Sequence, residues 1–229
     1  MKVRLVSYSK PSADFTRAAS EDHVHHNTQD LIAYCARVSN PTNQMNTETS
    51  ERLLKYLVKH KHWSPFEMVS ACLEIETTRD IAHQIVRHRS FSFQEFSQRY
   101  ADPAEFGEQF VTREARLQDV KNRQNSVETD NAELRVKWQA HQETVIKAAE
   151  KAYKWAIDNG IAKEQARVVL PEGCTKTRLY MNGTLRSWIH YIDLRSDNGT
   201  QKEHMEIAHA CAEVIAKIFP NIMSFVDEG

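Results

Sequence analysis

Helix-like and strand-like segments follow one another irregularly along this chain, and that order limits the folds it can adopt. Apolar residues alternate with other residues in short segments, which predicts strands over 3–7, 66–77 and 177–182. Apolar residues recur at helical spacing over 30–38, 49–60, 137–158, 162–169, 184–194 and 202–218, and from residue 79 onward, where Thr78 is a candidate N-cap. A doubly wound sheet needs regular alternation of strands and helices. We therefore predict an α+β fold, a single domain with a central, mostly antiparallel sheet flanked by helices.

Two polar segments interrupt these elements. Residues 10–27 are rich in histidine, and we predict a loop there. The cluster His23-Val24-His25-His26 suits a metal by composition, but no cysteine or carboxylate set is placed to complete a site, so we predict no metal. Residues 104–135 are charged and weakly periodic. We predict that they form a surface excursion, partly helical, within one domain spanning residues 1–229.

Charge and cysteine usage exclude several classes of protein. The chain has 30 basic and 31 acidic residues and a net charge of -1, whereas a general nucleic-acid binder usually carries a basic excess. No apolar run approaches the roughly 20 residues of a membrane span, and residues 1–7 lack the apolar stretch of a signal peptide. The four cysteines lie far apart, as expected of reduced thiols. We therefore expect a cytoplasmic protein that binds neither nucleic acid nor membrane.

Cations and aromatic rings concentrate in residues 87–100. This stretch contains Arg87, Arg89 and Arg99 together with serines, amides, phenylalanines and a tyrosine. Guanidinium groups beside hydroxyls suit a bound phosphate, and aromatic side chains suit a bound ring. The stretch therefore predicts a nucleotide site.

Two polar side chains beside these arginines leave alternatives open. Gln84 shares a helical face with Arg87, which suits a phosphate or a base edge but equally suits a solvated face with ion pairs. Glu95 could accept a hydrogen bond from a sugar hydroxyl or a base. Its structural alternative is an ion pair with Arg99.

Arginines also occur in apolar surroundings elsewhere in the chain, at Arg167, Arg186 and Arg195. Each needs an anionic partner, and a structural carboxylate and an anionic ligand explain them equally well. The chain has only six glycines, and it contains neither a glycine-rich phosphate loop nor a recognisable nucleophile motif. A bound nucleotide must therefore be held by arginine side chains.

Four blocks of this sequence resemble the flavin-dependent thymidylate synthases. Arg87-His88-Arg89, seven residues and then Ser97 match the R-H-R-x7-S signature of that family. The other blocks are residues 62–67, which resemble its H-x-[ST]-P-F-E turn, 166–171, which resemble its A-R-x-V-L-P segment, and 186–195, which resemble its R-S-x-x-x-F-L-x-L-R helix. The blocks follow the family order, although Gln94 and His190 stand where many relatives have asparagine.

The resemblance implies an enzyme that converts dUMP to dTMP. It implies methylenetetrahydrofolate as carbon donor, NADPH as reductant and hydride delivery from reduced FAD to the pyrimidine ring. It also implies a homotetramer whose four FAD sites are shared between subunits. Redox chemistry then belongs to the flavin, while the protein supplies orientation and electrostatics. The alternative is a non-catalytic nucleotide- or RNA-binding module that uses residues 87–100, which the near-neutral net charge disfavours.

The same resemblance implies the site residues. The side chains implied to contact FAD or frame its pocket are Ser39, Ser64, Arg87, His88, Arg89, Glu95, Thr184, Arg186 and His190. Those implied to hold dUMP are Gln84, Arg87, Glu95, Ser97, Gln98, Arg99, Arg167 and Arg195. Arg195, beside the uracil, and His62, near the flavin ring, are the implied catalytic residues. Ser97 is interpreted as a phosphate ligand, with a nucleophile as its alternative.

Overall fold

A central antiparallel sheet organises the chain, whose computed structural model describes residues 1–18 and 27–225. The strands are β1 (Lys2–Tyr8), β2 (Ser70–Thr78), β3 (Ser92–Glu95), β4 (Arg116–Gln118), β5 (Ser126–Glu128) and β6 (Lys176–Thr184). The central sheet has the order β1-β2-β6-β3, and every neighbouring pair in it is antiparallel. The β4–β5 pair is a separate antiparallel hairpin.

Helices flank this sheet and confirm the predicted α+β class. They are α1 (Ala13–Ala18), α2 (Thr28–Ala36), α3 (Ser50–Lys59), α4 (Arg79–Ile85), α5 (Ala132–Asp158), α6 (Lys163–Ala166), α7 (Leu185–Ser196) and α8 (Lys202–Ala216). Short 3-10 helices lie at Pro41–Asn43, Ser64–Glu67, Pro103–Phe106, Arg167–Val169 and Pro220–Phe225. Within the described ranges, no helix combines the length and the apolar character that crossing a bilayer requires.

The core lies between one face of the sheet and the helices. Leu73 and Ile75 of β2 are fully buried, and the strand register places them opposite Met181 and Leu179 of β6. The buried ring of Trp188 in α7 donates its Nε1–H to the Ala71 carbonyl at 3.0 Å. This hydrogen bond and the burial around it fix α7, and the polar residues at its two ends, against the sheet.

A close contact anchors the arginine-rich stretch in this core. The Phe91 ring covers Gly183 of β6, and a Cβ at Gly183 would lie 2.4 Å from Phe91 Cδ1. The same ring packs edge-on against Trp188, with ring centroids 4.8 Å apart. The glycine is therefore needed for the close approach of Phe91, which in turn places the neighbouring arginines.

Predictions for two polar segments were partly wrong. Residues 10–27 contain α1, and the cluster His23–His26 lies outside the described residues. The excursion at 104–135 is partly helical, as predicted, with a 3-10 helix at its start and α5 at its end, but its central element is the β4–β5 hairpin, which was not predicted. Only its last residues are α-helical, because the Asn131 side chain caps α5 by accepting from Leu134 N–H.

Three local details of the sheet also differ from prediction. The expected strand at 66–77 begins only at Ser70, since Pro65 favours the first turn of the preceding 3-10 helix. β3 was not predicted, and it is a four-residue strand. Thr78 does precede α4, but its hydroxyl donates to Asp80 Oδ1 at 2.6 Å instead of capping the helix.

The excursion is held to α8 by ion pairs. Lys202 Nζ lies 2.8 Å from Glu114 Oε1 and 2.7 Å from Glu128 Oε1. Arg116 of β4 pairs with Glu203. The hairpin is therefore tied to the first turn of α8, which also carries residues that reach the candidate site.

Candidate functional site

One group of predicted residues gathers where the chain turns from α3 to β2. α3 ends at Lys59, Lys61 beyond it has a left-handed backbone (φ 57), and His62 N–H donates to the Leu57 carbonyl at 2.8 Å. The following 3-10 helix packs on α7. There Arg186 Nη1 donates to Glu67 Oε1 at 2.5 Å. We call His62, Ser64, Thr184, Arg186 and His190 the turn cluster.

The turn cluster is connected to the arginine-rich stretch through α7. Thr184 caps the helix by accepting from Ser187 N–H at 3.3 Å. Ser187 Oγ then donates to the Ser90 carbonyl at 3.2 Å. His190 contacts Trp63, with ring centroids 4.8 Å apart. Among the described residues, Arg186 pairs with the Glu67 carboxylate, which is the structural alternative to an anionic ligand. The side chains of His62 and His190 are exposed.

A second group forms where α4 ends. Arg87 and Arg89 are exposed, and within residues 1–18 and 27–225 neither side chain has a hydrogen bond or ion pair. His88 between them turns inward, with its ring edge-on to Tyr191 at 4.9 Å. Arg195 Nε–H donates to His88 Nε2 at 2.9 Å. We call Arg87, His88, Arg89 and Arg195 the arginine cluster, and its cations remain available to an anion.

Two histidines beside Arg195, the half-buried His88 and the fully buried His204, are neutral. Burial, and then the Arg195 charge, lowers the pKa of His88 to about 4. Burial, and then the charges of Arg195 and His88, lowers the pKa of His204 to about 3. Because a guanidinium only donates, His88 Nε2 must accept, and the proton of this neutral ring lies on Nδ1. Arg195 is therefore the cation at this point in the site.

We expect the free energy of unfolding to fall as the pH drops from about 6.5, the pKa of an unfolded histidine, to about 5. Folded pKa values of about 4 for His88 and about 3 for His204 mean that the unfolded state binds more protons in this window. The contribution is complete above the unfolded pKa and is lost as the pH falls toward the folded values. His204 alone should account for roughly 1–2 kcal/mol, measured by urea denaturation at several pH values.

The His204→Asn variant is the control for this pH dependence. It lacks a titrating ring at this position and should therefore show a shallower loss of stability between the same pH values. An identical slope in the variant and the wild type would contradict the assignment of His204 as a buried neutral group.

Gln84 lies at the inner side of the arginine cluster. Its Oε1 lies 3.2 Å from His204 Nδ1, and its Nε2 donates to Gln201 Oε1 at 2.8 Å. His204 and Gln201 both come from the first turn of α8 or its cap. The alternative of a purely solvated helix face is wrong for Gln84, because its amide contacts the buried His204 and the half-buried Gln201.

A third group lies around Glu164. Arg99 Nη2 is 3.5 Å from Glu164 Oε2, and Arg167 Nε donates to the Glu164 carbonyl at 3.3 Å. Ser97 Oγ accepts from Arg99 N–H at 3.3 Å. Gln98 is only 3% exposed, and its Nε2 has no hydrogen-bond partner among the described residues. We call Ser97, Gln98, Arg99 and Arg167 the Glu164 cluster.

Glu95 differs from its structural alternative. That alternative was an ion pair with Arg99, but the Glu95 carboxylate lies 3.2 Å from Arg79 Nη1 and accepts from Thr177 Oγ1 at 2.9 Å. Arg79 and Thr177 hold the carboxylate at the end of β3, between the arginine and Glu164 clusters in the sequence. A pairing with Arg79 was not predicted, because the register of β3 against β6 was unknown.

The described chain leaves the predicted site open. Cavities of 660 Å³ and 580 Å³ lie around Arg113 and the β4–β5 hairpin, and no predicted site residue lines either of them. Ser39 is exposed and has no hydrogen bond to the other predicted residues in the described ranges. Similarly, no hydrogen bond or ion pair joins Arg99 or Arg167 to the arginine cluster there.

Sequence reasoning missed the inner partners of the site. Tyr191 stands at the F position of the 186–195 block but was given no role, Gln201 and His204 carry no motif, and His204 shares the apolar face of α8 with Ile207 and Cys211. A histidine at such a position is usually a core residue. The available signal was that its helix follows Arg195 closely in the chain.

Comparisons with known proteins place the chain in a family. The family model for "Thymidylate synthase complementing protein" matches residues 22–221. A probable flavin-dependent thymidylate synthase of Paramecium bursaria Chlorella virus 1 is 48% identical over 227 residues, 99% of each chain. The flavin-dependent thymidylate synthase of Synechocystis sp. is 48% identical over 228 residues, 99% of this chain and 100% of that one.

Solved structures share the fold. The UMP/dUMP methylase PolB from Streptomyces cacaoi, bound with 5-Br dUMP, superposes with a TM-score of 0.77 at 25% identity. The alignment covers 98% of this chain and 93% of PolB. A second PolB structure, bound with 5-Br UMP, gives a TM-score of 0.78 at 23% identity, which supports the fold alone.

Proposed function

This chain belongs to the thymidylate synthase complementing protein family, and from that premise we propose that it is a flavin-dependent thymidylate synthase that methylates dUMP to dTMP. The observation that carries the proposal is the arginine cluster. Arg87 and Arg89 have no protein partner in the described chain, and Arg195 is oriented by the neutral His88. Three guanidinium groups without a carboxylate among them favour binding of a phosphorylated ligand.

The residues fit a flavin dinucleotide, and we propose FAD. A diphosphate needs several donors, and the chain has no glycine-rich loop to supply backbone N–H groups. Arg87 and Arg89 supply unpaired guanidinium groups instead. We propose that FAD is held by Ser39, Ser64, Arg87, His88, Arg89, Glu95, Thr184, Arg186 and His190, with His62 near the flavin ring. Methylenetetrahydrofolate would supply the carbon, and bound flavin reduced by NADPH would supply the hydride, delivered to the pyrimidine ring.

We propose that dUMP lies against the Glu164 cluster and Gln84. Arg99 and Arg167 can both address the nucleotide phosphate, and the unpaired Nε2 of the buried Gln98 can donate to it. Ser97 Oγ contacts Arg99 N–H, and no histidine or carboxylate that could serve as its base is bonded to it in the described residues. This supports a phosphate ligand over a nucleophile. Arg87 and Glu95 complete the proposed dUMP site.

We propose that Arg195 lies beside the uracil and stabilises the anion formed when its ring nitrogen loses a proton. Its Nε–H is occupied by His88, and its Nη groups have no partner in the described part of the chain. The neutral His88 orients the guanidinium without adding a second charge. Arg195 therefore presents a fixed cation to the pyrimidine.

We propose a homotetramer whose active sites are shared between subunits. The predicted residues line neither cavity around Arg113, and Ser39, Arg87 and Arg89 are exposed, which supports a site completed by a second subunit. Tyr100 and Val168, beside Arg99 and Arg167, are 80% and 84% exposed. Covering these apolar side chains with a partner subunit would also close the site. The rival, a non-catalytic nucleotide- or RNA-binding module, would require neither a partner nor a flavin.

The purified protein is expected to be yellow, because the unpaired Arg87 and Arg89 retain FAD. Absorbance spectroscopy should show flavin bands that bleach on anaerobic addition of NADPH, and dUMP with methylenetetrahydrofolate should then yield dTMP. The Arg87→Ala/Arg89→Ala double variant should bind FAD at least roughly 100-fold more weakly, since it loses two charge-assisted hydrogen bonds of about 1.5–3 kcal/mol each. The Lys121→Ala/Arg123→Ala variant removes the same charge from the exposed hairpin and is the control. A colourless protein that cannot be reconstituted with FAD would contradict the proposed flavin-dependent activity.

A further inference from the structure

We propose that His204, supported by Tyr191, is a positioning residue that fixes the amide of Gln84 for the nucleotide, an inference that rests on the proposed function. His204 is fully buried in α8 and does not lie on the open surface of the site. It reaches the ligand only through Gln84, whose Oε1 lies 3.2 Å from His204 Nδ1. Its role is therefore to orient another side chain.

A chain of hydrogen bonds runs from Glu203 through Gln201 and Gln84 to His204. The charged Glu203 carboxylate fixes the donor and the acceptor in each of these bonds. The Glu203 carboxylate can only accept, and it does so from Arg116 and from Gln201 Nε2, the latter at 2.9 Å. The carbonyl oxygen of Gln201 therefore faces Gln84 and accepts from Gln84 Nε2 at 2.8 Å. This leaves Gln84 Oε1 facing His204, so His204 Nδ1 must be the donor.

Tyr191 completes the network at the Nε2 side of the His204 ring. His204 Nε2 lies 3.1 Å from the Tyr191 hydroxyl, which burial keeps protonated by raising its pKa. Since Nδ1 carries the ring proton, Nε2 accepts from this hydroxyl. The Tyr191 ring also packs edge-on against His88, with centroids 4.9 Å apart, and His88 accepts from Arg195. Tyr191 thus lies between the proposed catalytic arginine and the network that orients Gln84.

A fixed amide has a defined use in this site. Gln84 uses one of its two N–H groups on Gln201 and one of its two carbonyl lone pairs on His204. One donor and one acceptor remain, held in a single orientation. An amide free to rotate would interchange the positions of its oxygen and nitrogen, and its contacts with a nucleotide would be lost in part of the population.

Packing is the competing explanation for His204, because the ring also fills space in the core. The variants His204→Asn and His204→Leu separate the two explanations, since asparagine and leucine have the same branched shape. Asparagine retains an N–H at the position of Nδ1, whereas leucine retains none. If His204 only fills space, the apolar leucine should serve as well as asparagine or better.

The test is the affinity for dUMP, measured by calorimetry on the flavin-loaded protein, together with the KM for dUMP, kcat and the thermal midpoint. We expect His204→Leu to raise the Kd and KM for dUMP about tenfold, and His204→Asn to raise them less than about threefold, with kcat changed little in both. We expect the thermal midpoint of the leucine variant to equal or exceed that of the asparagine variant. The better-packed variant would then be the weaker binder.

A double-mutant cycle shows whether the effect passes through Gln84. In a Gln84→Ala background, His204→Leu should change dUMP affinity no further. Tyr191→Phe removes only the hydroxyl and should weaken dUMP binding about two- to fivefold, again only when Gln84 is present. This variant keeps the test decisive if His204→Leu does not fold.

Two outcomes would overturn the inference. One is a leucine variant that binds dUMP as well as the asparagine variant, and the other is an unchanged effect of His204→Leu or Tyr191→Phe after Gln84 is removed. A wild-type protein that neither binds nor converts dUMP would refute the proposed function and this inference together. A wild type that converts dUMP while His204 is uncoupled from Gln84 would refute the inference alone.

Discussion

Replacing Arg195 with alanine is expected to lower dTMP formation about 100- to 1000-fold while the fold and the bound flavin persist. An oriented donor at the position where charge develops contributes a factor of this size to catalysis. The Arg195 guanidinium is so oriented, because its Nε–H donates to His88 at 2.9 Å. Single-turnover assays with saturating dUMP would measure the loss. The residual rate should increase with pH, since a higher pH favours the ring anion that Arg195 otherwise stabilises.

The Arg195→Lys variant is the matched control. Lysine retains the positive charge but lacks the planar set of donors that contacts His88 and a ligand at once. Its rate should lie between those of the alanine variant and the wild type. Turnover of the alanine variant within about threefold of the wild type would remove Arg195 from the proposed mechanism, whereas loss of flavin from it would reveal a binding role instead.

Replacing Gly183 with alanine is expected to destabilise the protein by about 1–3 kcal/mol. The added Cβ would lie 2.4 Å from Phe91 Cδ1, so the ring must move. Phe91 is held between Gly183 and Trp188, and it lies two residues from Arg89, so FAD affinity should fall as well. Chemical denaturation and flavin titration of the same variant would measure the two effects.

Gly173→Ala is the control for this substitution. A Cβ at Gly173 meets nothing within 4 Å, so alanine there should leave stability nearly unchanged or raise it by up to about 1 kcal/mol. Phe91→Leu combined with Gly183→Ala provides a second check, because the smaller side chain leaves space for the methyl group. Equal stability of the Gly183→Ala and Gly173→Ala variants would contradict the close packing of Phe91 on β6.

The exposed residues of the candidate site are easier to identify from the sequence than its buried residues. The arginines and Ser97 became candidates because cations in apolar surroundings and a spaced motif are visible in one dimension. The pairing of Glu95 with Arg79 was missed because it depends on how β3 lies against β6. The contact between His204 and Gln84 was missed because the two residues are 120 positions apart, and no local pattern records such a pairing.

In the fold, too, elements with a clear local pattern were predicted and elements that depend on distant contacts were not. The long strands and helices were predicted because the alternation in β2 and the helical spacing in α8 follow directly from which face is buried. β3 is only four residues long and pairs only with β6, so its local pattern was too short to identify. The β4–β5 hairpin depends on ion pairs between the excursion and α8, which composition alone does not specify.

The helix α7 determines where this chain can change in length. It carries Arg186 in its first turn and Arg195 in its last, separated by about 13 Å of helix axis. One inserted residue between them would rotate Arg195 by about 100° relative to Arg186 and break its contact with His88. Insertions and deletions should therefore be excluded from this helix yet accepted near Val120, at the exposed end of the hairpin. We therefore expect related sequences to differ in length in the excursion at 104–135 and not in α7.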